Sequence, residues 1–535
     1  MLSKIILLSG PKSSGKTTLA NEISNFYGFE LFKTSDYIKS KIKNSSIANL
    51  KMLQDEGDHF DNETHGRWVL DGIKAINQKD ETIKGIVVDS VRIVDQIDAI
   101  RDQYWPNVLH IHLTAPKDDL LKRFNSREKL GMSVDINYED IQQNPSEIRI
   151  EKLANTADLN IDTKRCTRYD VLTKALSFID VSGANGRGYV DVIIGGQYGS
   201  EGKGQISAFL ANEYDILVRV GGPNAGHSVI EKDRPYIYHQ LPSGSRMNES
   251  AKLVLCAGMV LNLDKLKEEI RECGISENRL IIDHKAMIIA DEDMENEKYL
   301  VNDIGSTGQG VGAATSRRIM GRGKGVKLAR DYPALKPYLK DSTQFLYQAF
   351  KENKRVLLEG TQGTGLSLYH GEYPYVTSRD TTVAACLSEA GISPKWVRRV
   401  ILVCRTYPIR VANPKDGSSG SLKQEIKWSE VAKRSGYSEE ELIKTEKTST
   451  TKRDRRVGEF EWDLLHKSST LNGSTDIALT FVDYITKSNT EARRLEQLSE
   501  ETINFIHEIE RVSNTPVSLI SNGFNKHSII DRRIW

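Results

Sequence analysis

Residues 4–18 read Lys4-Ile-Ile-Leu-Leu-Ser-Gly10-Pro-Lys-Ser-Ser-Gly15-Lys16-Thr17-Thr18, an apolar run that ends in a glycine-rich loop. The run predicts a strand at Lys4–Leu8, the loop satisfies the pattern G-x4-G-K-[ST], and a helical segment follows at Leu19–Tyr27. In that setting the loop amides and the helix N-terminus bind phosphate, the lysine neutralises the β and γ oxygens, and a hydroxyl can bind Mg2+. We therefore predict a phosphate-binding loop made of Gly10, Gly15, Lys16, Thr17 and Thr18, with Thr17 as a metal ligand.

Strand-like runs alternate with helical segments along the rest of the chain, which is typical of α/β folds with mostly parallel sheets. The interval Val181–Gly188 is too rich in Gly, Ser and Asn for regular structure and predicts a linker. We expect two P-loop-type α/β domains, with mostly parallel sheets flanked by helices, at residues 1–180 and 189–535, joined by residues 181–188. The predicted strands are Lys4–Leu8, Gly85–Val88, Val108–Leu113, Val190–Ile194, Ile216–Val220, Lys252–Leu255, Val356–Leu358 and Arg399–Val403.

The composition argues against several classes of protein. The 535 residues include 74 Lys and Arg and 73 Asp and Glu, so the net charge is +1. Such a charge gives no bulk attraction to nucleic acid or anionic lipid. The five cysteines are odd in number and include no C-x-x-C pair, which favours a reducing compartment. No run approaches the roughly 18 apolar residues that cross a bilayer. We expect a cytoplasmic protein without nucleic-acid or membrane partners.

Further candidates for phosphate contacts follow the first loop. Asp89 and Arg92 come directly after a predicted strand, where a carboxylate could hold the water of a metal ion and a guanidinium could take an acceptor phosphate. With these residues, the first domain resembles the P-loop nucleoside and nucleotide monophosphate kinases. The resemblance makes Arg123 and Arg127 lid arginines, and Asp36 is a further candidate. Each isolated arginine is equally compatible with an ordinary solvated side chain, so the acceptor stays open.

A second glycine-rich loop follows the linker at Gly195-Gly-Gln-Tyr-Gly-Ser200-Glu-Gly-Lys203-Gly204. It departs from the first pattern, because Gln197 replaces the first glycine and Gly204 stands where Ser or Thr is expected, but its amides can still face phosphate. A glycine turn then ends in His227. A lone histidine is usually a packing residue. One at a strand-end glycine turn close behind a phosphate loop is instead predicted to have a catalytic role.

These segments resemble the adenylosuccinate synthetase family, whose loop usually reads G-D-E-G-K-G-K and is followed by G-G-x-N-A-G-H. The resemblance covers roughly residues 188–535, and the matching motifs appear in the family's order. They are Gly221-Gly-Pro-Asn-Ala-Gly-His227, His239-Gln-Leu-Pro-Ser-Gly244, Ile304-Gly-Ser-Thr-Gly-Gln-Gly310, Leu358-Glu-Gly-Thr-Gln-Gly363, His370-Gly-Glu-Tyr-Pro-Tyr-Val-Thr-Ser378 and Thr450-Thr-Lys-Arg-Asp-Arg-Arg456.

The resemblance implies a C–N ligase, in which a nucleoside triphosphate phosphorylates O6 of a 6-oxopurine nucleotide and the amine of L-aspartate displaces the phosphate. Lys203 suits the transferred phosphoryl group, His227 suits charge between the β- and γ-phosphates, and the Gly226 carbonyl is a candidate ligand of Mg2+. Other positions follow from the family. They are Asn224, Thr307, Gln362, Thr377 and Arg318 for the purine nucleotide, Thr450, Thr451, Arg453 and Arg455 for aspartate, and Gly199, Gly202, Gly204 and Asp483 for the donor nucleotide.

Two departures bear on the substrates. Ser200 occupies the catalytic position of the aspartate that takes the purine N1 proton and binds Mg2+ in the family. The phage 2-aminoadenylosuccinate synthetases, which act on dGMP, are similar to this chain in carrying serine there. Phe481 replaces the lysine that packs on guanine in enzymes that use GTP, although Asp483 remains, so ATP, dATP and GTP are all candidate donors. Asp454 inside the aspartate segment is a further difference.

We predict a bifunctional enzyme, an N-terminal nucleotide kinase fused to a ligase that favours dGMP or GMP and is closest in type to the phage and archaeal 2-aminoadenylosuccinate synthetases. The alternatives are an ordinary adenylosuccinate synthetase acting on IMP and a nucleotide sensor or defence protein without turnover. Arg317, Arg318 and Arg322 lie where the family sends an arginine into a partner's active site, so we expect a homodimer.

Overall fold

The structure is a computed structural model with two compact units, Met1–Asn185 and Gly186–Trp535. It describes residues 4–42, 50–79, 83, 85–104, 107–128, 138, 145–181, 189–231, 234–323, 325–448, 452–524 and 528–533. Apart from Val181, the predicted linker lies outside the described residues.

Unit 1 is built on one parallel sheet of five strands in the order β2-β3-β1-β4-β5. The strands are β1 (Lys4–Ser9), β2 (Glu30–Lys33), β3 (Gly85–Asp89), β4 (Val108–Thr114) and β5 (Leu159–Asp162). The described helices are α1 (Lys16–Tyr27), α2 (Thr34–Lys41), α3 (Leu50–Thr64), α4 (Arg67–Lys79), α5 (Val94–Tyr104), α6 (Lys117–Glu128), α7 (Pro145–Lys152) and α8 (Arg168–Val181).

Strand β1 lies in the middle of this sheet and is apolar on both faces. Ile5 and Leu7 belong to one buried cluster, and Ile6 and Leu8 belong to the cluster on the opposite face. A continuous apolar run is what a parallel strand covered on both sides requires. The chain leaves the carboxyl end of β1 directly into the glycine-rich loop.

Unit 2 contains a sheet of ten strands in the order β14-β12-β10-β7-β15-β6-β16-β20-β21-β22, parallel throughout except for the last pair. Its strands are β6 (Tyr189–Gly195), β7 (Ile216–Arg219), β8 (His227–Glu231), β9 (Arg234–Tyr238), β10 (Lys252–Leu255), β11 (Val260–Leu261), β12 (Leu280–Asp283), β13 (Met287–Ile288), β14 (Leu339–Lys340), β15 (Arg355–Glu359), β16 (Val397–Arg405), β17 (Ile409–Val411), β18 (Glu425–Ile426), β19 (Arg455–Gly458), β20 (Asp476–Thr480), β21 (Val517–Ser521) and β22 (Ile529–Asp531).

The helices of unit 2 surround this sheet and the smaller ones, which are the hairpin β8–β9, the pair β11–β13 and the antiparallel group β17-β19-β18. The described helices are α9 (Lys203–Leu210), α10 (Leu263–Glu272), α11 (Asp291–Asn296), α12 (Lys298–Asp303), α13 (Val311–Gly321), α14 (Ser342–Lys351), α15 (Val383–Ala390), α16 (Trp428–Ser435), α17 (Glu439–Thr445), α18 (Trp462–Asn472) and α19 (Glu500–Ser513).

The observed architecture confirms the predicted fold class, and each predicted strand is present to within two residues. The central strands β6, β7, β15 and β16 are neighbours, so the loops after their carboxyl ends meet at one edge of the sheet. That edge is where open α/β sheets bind ligands. None of the helices that the structure describes is long and apolar enough to span a membrane.

Replacing Leu7 by alanine should destabilise unit 1 by about 2–5 kcal/mol, because its fully buried side chain leaves a cavity in the central strand. Hydrogen exchange in urea, read on peptides from β1, β3 and β4, measures this change. Leu121→Ala, at a position 37% exposed on α6, is the matched control and should have little effect. Equal protection in both variants would contradict this account of the unit 1 core.

Candidate functional site

The first glycine-rich loop wraps tightly around the end of β1. Gly10 and Gly15 both have positive φ, at 136° and 100°, and a Cβ at Gly10 would lie 2.2 Å from the carbonyl oxygen of Leu113. The Lys16 amine donates to the carbonyls of Gly10 (2.7 Å) and Pro11 (2.9 Å), so it lies across the loop. Thr17 and Thr18 are exposed at the start of α1.

A cavity of about 360 Å³ opens beside this loop, and Gly15, Thr18 and Arg123 are among its lining residues. Arg123 is fixed by hydrogen bonds to the hydroxyl (2.9 Å) and carbonyl (2.7 Å) of Thr163. The buried Ser13 and Ser14 hydroxyls, which also line the cavity, have no hydrogen-bond partner among the described residues. Buried hydroxyls without a partner can donate hydrogen bonds to an anionic ligand.

The other predicted residues of unit 1 lie around the same sheet edge. Asp89 ends β3, Arg92 follows it with its amide bonded to Gln96 (2.8 Å), and Asp36 is exposed on α2. None of these three lines the cavity beside the loop. Arg127 lies on α6, but its side chain is outside the described part of the structure.

In unit 2, the second loop is organised by a buried ion pair. Glu201 accepts hydrogen bonds from the amides of Gln197 (3.0 Å) and Gly199 (2.7 Å), and its other oxygen accepts from the Lys203 amine (2.7 Å). Both side chains of the pair are 1% exposed. Gly202, with φ 86°, then begins α9 in the left-handed region that favours glycine. Glu201 is not among the site residues predicted from the sequence, although a carboxylate two residues before the loop lysine is a signal for this role.

His227 explains why position 204 is glycine. A Cβ at Gly204 would lie 2.8 Å from the His227 Cβ, so the histidine fills the space that a Ser or Thr side chain would need. This close contact brings the start of β8 against the start of α9, and therefore brings the imidazole to the phosphate loop.

A buried carboxylate orients that imidazole. Glu359, at the end of β15, lies 2.5 Å from His227 Nδ1 and accepts hydrogen bonds from the Ser243 amide (2.8 Å) and hydroxyl (2.5 Å). The Arg219 guanidinium lies 3.6 Å away. His227 Nε2 is buried and has no hydrogen-bond partner among the described residues. Glu359 therefore holds Nδ1 and leaves Nε2 available to a ligand.

Electrostatics fix the charge state of this pair. Burial lowers the pKa of His227 to about 3, and the Arg219 charge acts in the same direction. For Glu359, burial would raise the pKa, but the Arg219 charge and the hydrogen bonds from His227 and Ser243 outweigh it and bring the pKa to about 2. The resting pair is a carboxylate beside a neutral imidazole. An anionic phosphate at Nε2 would favour protonation of the ring.

Four of the five residues predicted to bind the purine nucleotide, all but Arg318, line one cavity of about 220 Å³. Asn224 Oδ1 and Gln362 Oε1 are buried there without a partner among the described residues, and Gln362 has a φ of 58°. Unpaired amide oxygens and a left-handed non-glycine residue are typical of binding sites. No carboxylate is present among the described residues that line the cavity. From the sequence predictions, the lining contains Gly199, Ser200, Asn224, Gly226, Thr307, Gln362, Thr377 and Arg455.

The predicted aspartate segment adjoins this cavity. The guanidinium of Arg453 donates to the carbonyls of Gly305 (3.3 Å) and Ser306 (3.4 Å), both of which line the cavity. Arg455 lines it directly, whereas Thr450 and Thr451 lie outside the described residues. Arg318 is not among the lining residues, and its guanidinium donates to the carbonyl of Ala257 (3.0 Å).

A second cavity of about 460 Å³ contains Asp483. Burial raises the pKa of Asp483 to about 6, although the Tyr437 hydroxyl, 3.1 Å away, opposes the shift. Its Oδ1 atom has no partner within the described chain. Nearby, Phe481 packs over the phosphate loop, since a Cβ on Gly202 would lie 3.7 Å from its ring. The Arg405 guanidinium lies 4.0 Å from the centre of that ring.

The oxygen atoms around the loops suit Mg2+ bound chiefly through substrate. Within the described ranges, no group of three or more His, Cys, Asp and Glu side chains could hold a metal ion. Ser200 and Gly226 line the purine cavity and offer neutral oxygens, as Thr17 does in unit 1. Mg2+ usually keeps several waters and binds phosphate oxygens, so a neutral protein donor set is compatible with it.

Known sequences match both units. The sequence profile of the family described as adenylosuccinate synthetase matches residues 192–331 and 326–490, and a profile described as AAA domain matches residues 9–142. The adenylosuccinate synthetase of Methanococcus aeolicus is 38% identical over 351 residues, which is 64% of this chain and 99% of that protein. That of Thermococcus onnurineus is 39% identical over 351 residues, covering 64% of this chain and 98% of that protein.

Solved structures are also similar to unit 2. Fully ligated adenylosuccinate synthetase from Plasmodium falciparum superposes with a TM-score of 0.58 at 24% identity, over 64% of this chain and all of that one. At that identity the likeness concerns the fold. The succinoaminodeoxyadenylate synthetase of cyanophage S-2L, bound to dGMP and to dATP as an energy donor, gives a TM-score of 0.54 at 26% identity, over 64% of this chain and 95% of that one.

The buried pair in the second loop should show strong coupling. Replacing Glu201 by Gln or Lys203 by Met leaves one buried charge unpaired, so each change should lower the free energy of unfolding by about 3–5 kcal/mol. The double variant should lose less than the sum of the two, because no lone charge remains. Urea unfolding of unit 2 measures the cycle.

The exposed pair of Lys423 and Asp463 provides the control for this cycle, since Asp463→Asn should change stability little. Additive losses for Glu201→Gln and Lys203→Met would mean that the pair does not hold the loop.

Proposed function

Since the chain belongs to the adenylosuccinate synthetase family, we propose that unit 2 condenses L-aspartate with a 6-oxopurine nucleotide that carries a 2-amino group, dGMP or GMP. Members of the family bind aspartate and purine nucleotides, and the family uses Mg2+ and GTP. The observation that carries the acceptor preference is Ser200 in a cavity whose described lining has no carboxylate.

Ser200 leaves more room than the aspartate that the family usually places there. Guanine differs from hypoxanthine by a 2-amino group next to N1, so a smaller side chain beside N1 frees volume for that group. The serine hydroxyl can also accept a hydrogen bond from an amine. The cyanophage synthetase that is similar to unit 2 is bound to dGMP, which supports the same acceptor for this chain.

An ordinary adenylosuccinate synthetase acting on IMP is the second candidate. It is favoured by the archaeal relatives, which are named for that activity and are 38% and 39% identical to this chain. The two candidates share the phosphate loop, the histidine and the aspartate segment. They differ in the acceptor base that fits beside Ser200.

For the phosphoryl step, we assign a separate role to each of two residues, Lys203 and His227. Lys203 neutralises the transferred phosphoryl group, and Glu201 keeps its amine at the loop. His227 hydrogen-bonds the developing charge through Nε2, while Glu359 stabilises the protonated ring through Nδ1. Ser200 and the Gly226 carbonyl would contact Mg2+, which supplies charge neutralisation for the phosphates when bound.

For the aspartate step, Arg453 and Arg455 supply guanidinium groups for the two substrate carboxylates. Arg453 is held by hydrogen bonds to carbonyl oxygens at the cavity wall, so its charge is positioned before aspartate binds. Thr450 and Thr451 complete the segment in sequence.

We assign the donor base to the cavity of Asp483, next to Phe481, with ATP or dATP favoured over GTP. A phenylalanine at 481 removes the lysine that packs on guanine in the family's GTP-using members. The dATP bound to the cyanophage enzyme supports an adenine donor. An Asp483 carboxyl with a pKa near 6 can serve either base, since the ionised form accepts from guanine N1–H and the neutral form donates to adenine N1.

Unit 1 is proposed to be a nucleotide kinase, because Ser13, Ser14 and Gly15 of its loop and the fixed Arg123 line one cavity. A homodimer is proposed on the α13 surface of unit 2. Next to Arg318 on that helix, Ile319 is 58% exposed and Met320 is 80% exposed, which suits a face covered by a second copy.

The acceptor is tested by aspartate-dependent phosphate release from IMP, GMP and dGMP, with GTP, ATP and dATP as donors and Mg2+ present. We expect turnover with dGMP or GMP, and Ser200→Asp should shift the preference towards IMP at least tenfold, because the carboxylate refills the space beside N1. Lys16→Ala should keep this activity and His227→Ala should lose it, which assigns it to unit 2. Turnover confined to IMP in the unaltered chain would make the second candidate correct, and no turnover with any pair would favour a sensor.

The donor is tested by the pH dependence of selectivity. The ratio of kcat/KM for ATP to that for GTP should rise as the pH falls through about 6, because protonation of Asp483 suits adenine and removes an acceptor for guanine. In Asp483→Asn the ratio should no longer depend on pH, since an amide donates and accepts at every pH. A pH-dependent ratio that persists in that variant would separate Asp483 from donor selection.

A further inference from the structure

Glu446 connects the purine cavity of unit 2 with the cavity of Asp483. It follows α17 and is 1% exposed, and each carboxylate oxygen has a different arginine partner. Oε1 accepts from Arg405 at 2.8 Å and from the Tyr484 hydroxyl at 2.9 Å, whereas Oε2 accepts from Arg455 at 2.8 Å. One buried carboxylate therefore joins residues that belong to two different sites.

On the Arg405 side, the bridge reaches the cavity of Asp483 through Tyr484. The Arg405 guanidinium lies 4.0 Å from the ring centre of Phe481 and 5.7 Å from that of Tyr484, which itself lines the cavity of Asp483. Its second nitrogen donates to the carbonyl of Ser200 at 3.4 Å. A base that binds against these rings would fix the position of Arg405.

The Arg455 side faces the purine cavity and the aspartate segment. Arg455 lines that cavity, and Thr448, two residues after Glu446, lines it as well. Thr448 closes the base of this stretch, because its amide donates to the Arg453 carbonyl (2.9 Å) and its hydroxyl accepts from the Arg453 amide (2.8 Å). Glu446 therefore holds Arg455 directly and lies two residues before Thr448, which pairs with Arg453.

Stability is a weak explanation for this triad. Burying two arginines and a glutamate has a desolvation free energy that usually exceeds the electrostatic attraction gained by the buried pairs. Apolar residues can often replace such triads without loss of stability. The charges of Arg405 and Arg455 hold the pKa of Glu446 down at about 2 against its burial, so the bridge stays ionised at any working pH. A permanent charge between two ligand sites is well suited to transmitting the state of one site to the other.

We propose that Glu446 is a positioning residue that couples the donor nucleotide site to the aspartate site, so that occupation of one raises the affinity of the other. The inference rests on the proposed function of unit 2. Coupling is reciprocal, and a bridge of this kind should contribute a factor of about five or more.

Binding rather than turnover tests the coupling in the full chain. Calorimetry measures the affinity of L-aspartate with dGMP or IMP present, with and without saturating imido analogues of ATP and GTP in the presence of Mg2+. We expect the analogue that binds to tighten aspartate binding about fivefold or more, and Glu446→Gln to reduce that factor to less than two. A residue that only stabilised the fold would weaken both affinities and leave their ratio unchanged.

A milder variant keeps the test decisive if Glu446→Gln does not fold. Tyr484→Phe removes one hydrogen bond from the bridge and keeps the ring, so it should lower the coupling factor at least twofold. The controls use Asp191, a buried carboxylate that likewise pairs with an arginine, Arg398, and accepts from a tyrosine, Tyr214, at 2.6 Å. Asp191→Asn and Tyr214→Phe should leave the factor unchanged.

The outcomes separate the inference from the function on which it rests. If the unaltered chain binds no aspartate under any of these conditions, the proposed function fails. If aspartate binds but no analogue changes its affinity, or if Glu446→Gln and Tyr484→Phe keep the full coupling factor, the proposed role of Glu446 is overturned while the ligase assignment stands.

Discussion

Unit 2 depends on the placement of buried charge at the carboxyl edge of its sheet. Glu359 ends a central strand and brings together His227, Arg219 and Ser243, which come from three other segments. Glu201 does the same for the phosphate loop by holding two amides and Lys203. Each carboxylate is paired before any ligand arrives, so the cations and the imidazole are already positioned when an anionic nucleotide enters. Such preorganisation is what phosphoryl transfer chiefly requires of a protein.

The two glycine-rich loops hold their lysines by different contacts and need glycine for different reasons. In unit 1, the lysine amine bonds to carbonyls of its own loop, and the first glycine is required because a backbone carbonyl lies where a Cβ would be. In unit 2, the lysine is paired with a carboxylate inside the loop, and glycine at 204 makes room for a histidine from another strand. The second loop therefore has a histidine at the place where the first has the hydroxyl of Thr17. A strand and a helix N-terminus provide the phosphate site in both cases.

Arg405 connects three segments of unit 2. The carbonyl of Ser200, the ring of Phe481 and the carboxylate of Glu446 all contact its guanidinium. The departures from the family pattern at positions 200 and 481 are therefore neighbours through Arg405. Under the proposed function, these contacts link the residues assigned to the acceptor, to the donor base and to aspartate.

Local sequence patterns indicate the fold class, the two glycine-rich loops, the strands that precede them and the family of unit 2. An apolar run, glycines at fixed spacing and a following helix carry their own physical reason within about 20 residues. Tertiary structure decided which distant side chains complete the sites. Glu359 lies 132 positions from His227, and Arg405 lies 41 positions from Glu446, so no local pattern could indicate either contact. Burial likewise set the charge states of His227 and Asp483, since a pKa depends on what surrounds a group once the chain has folded.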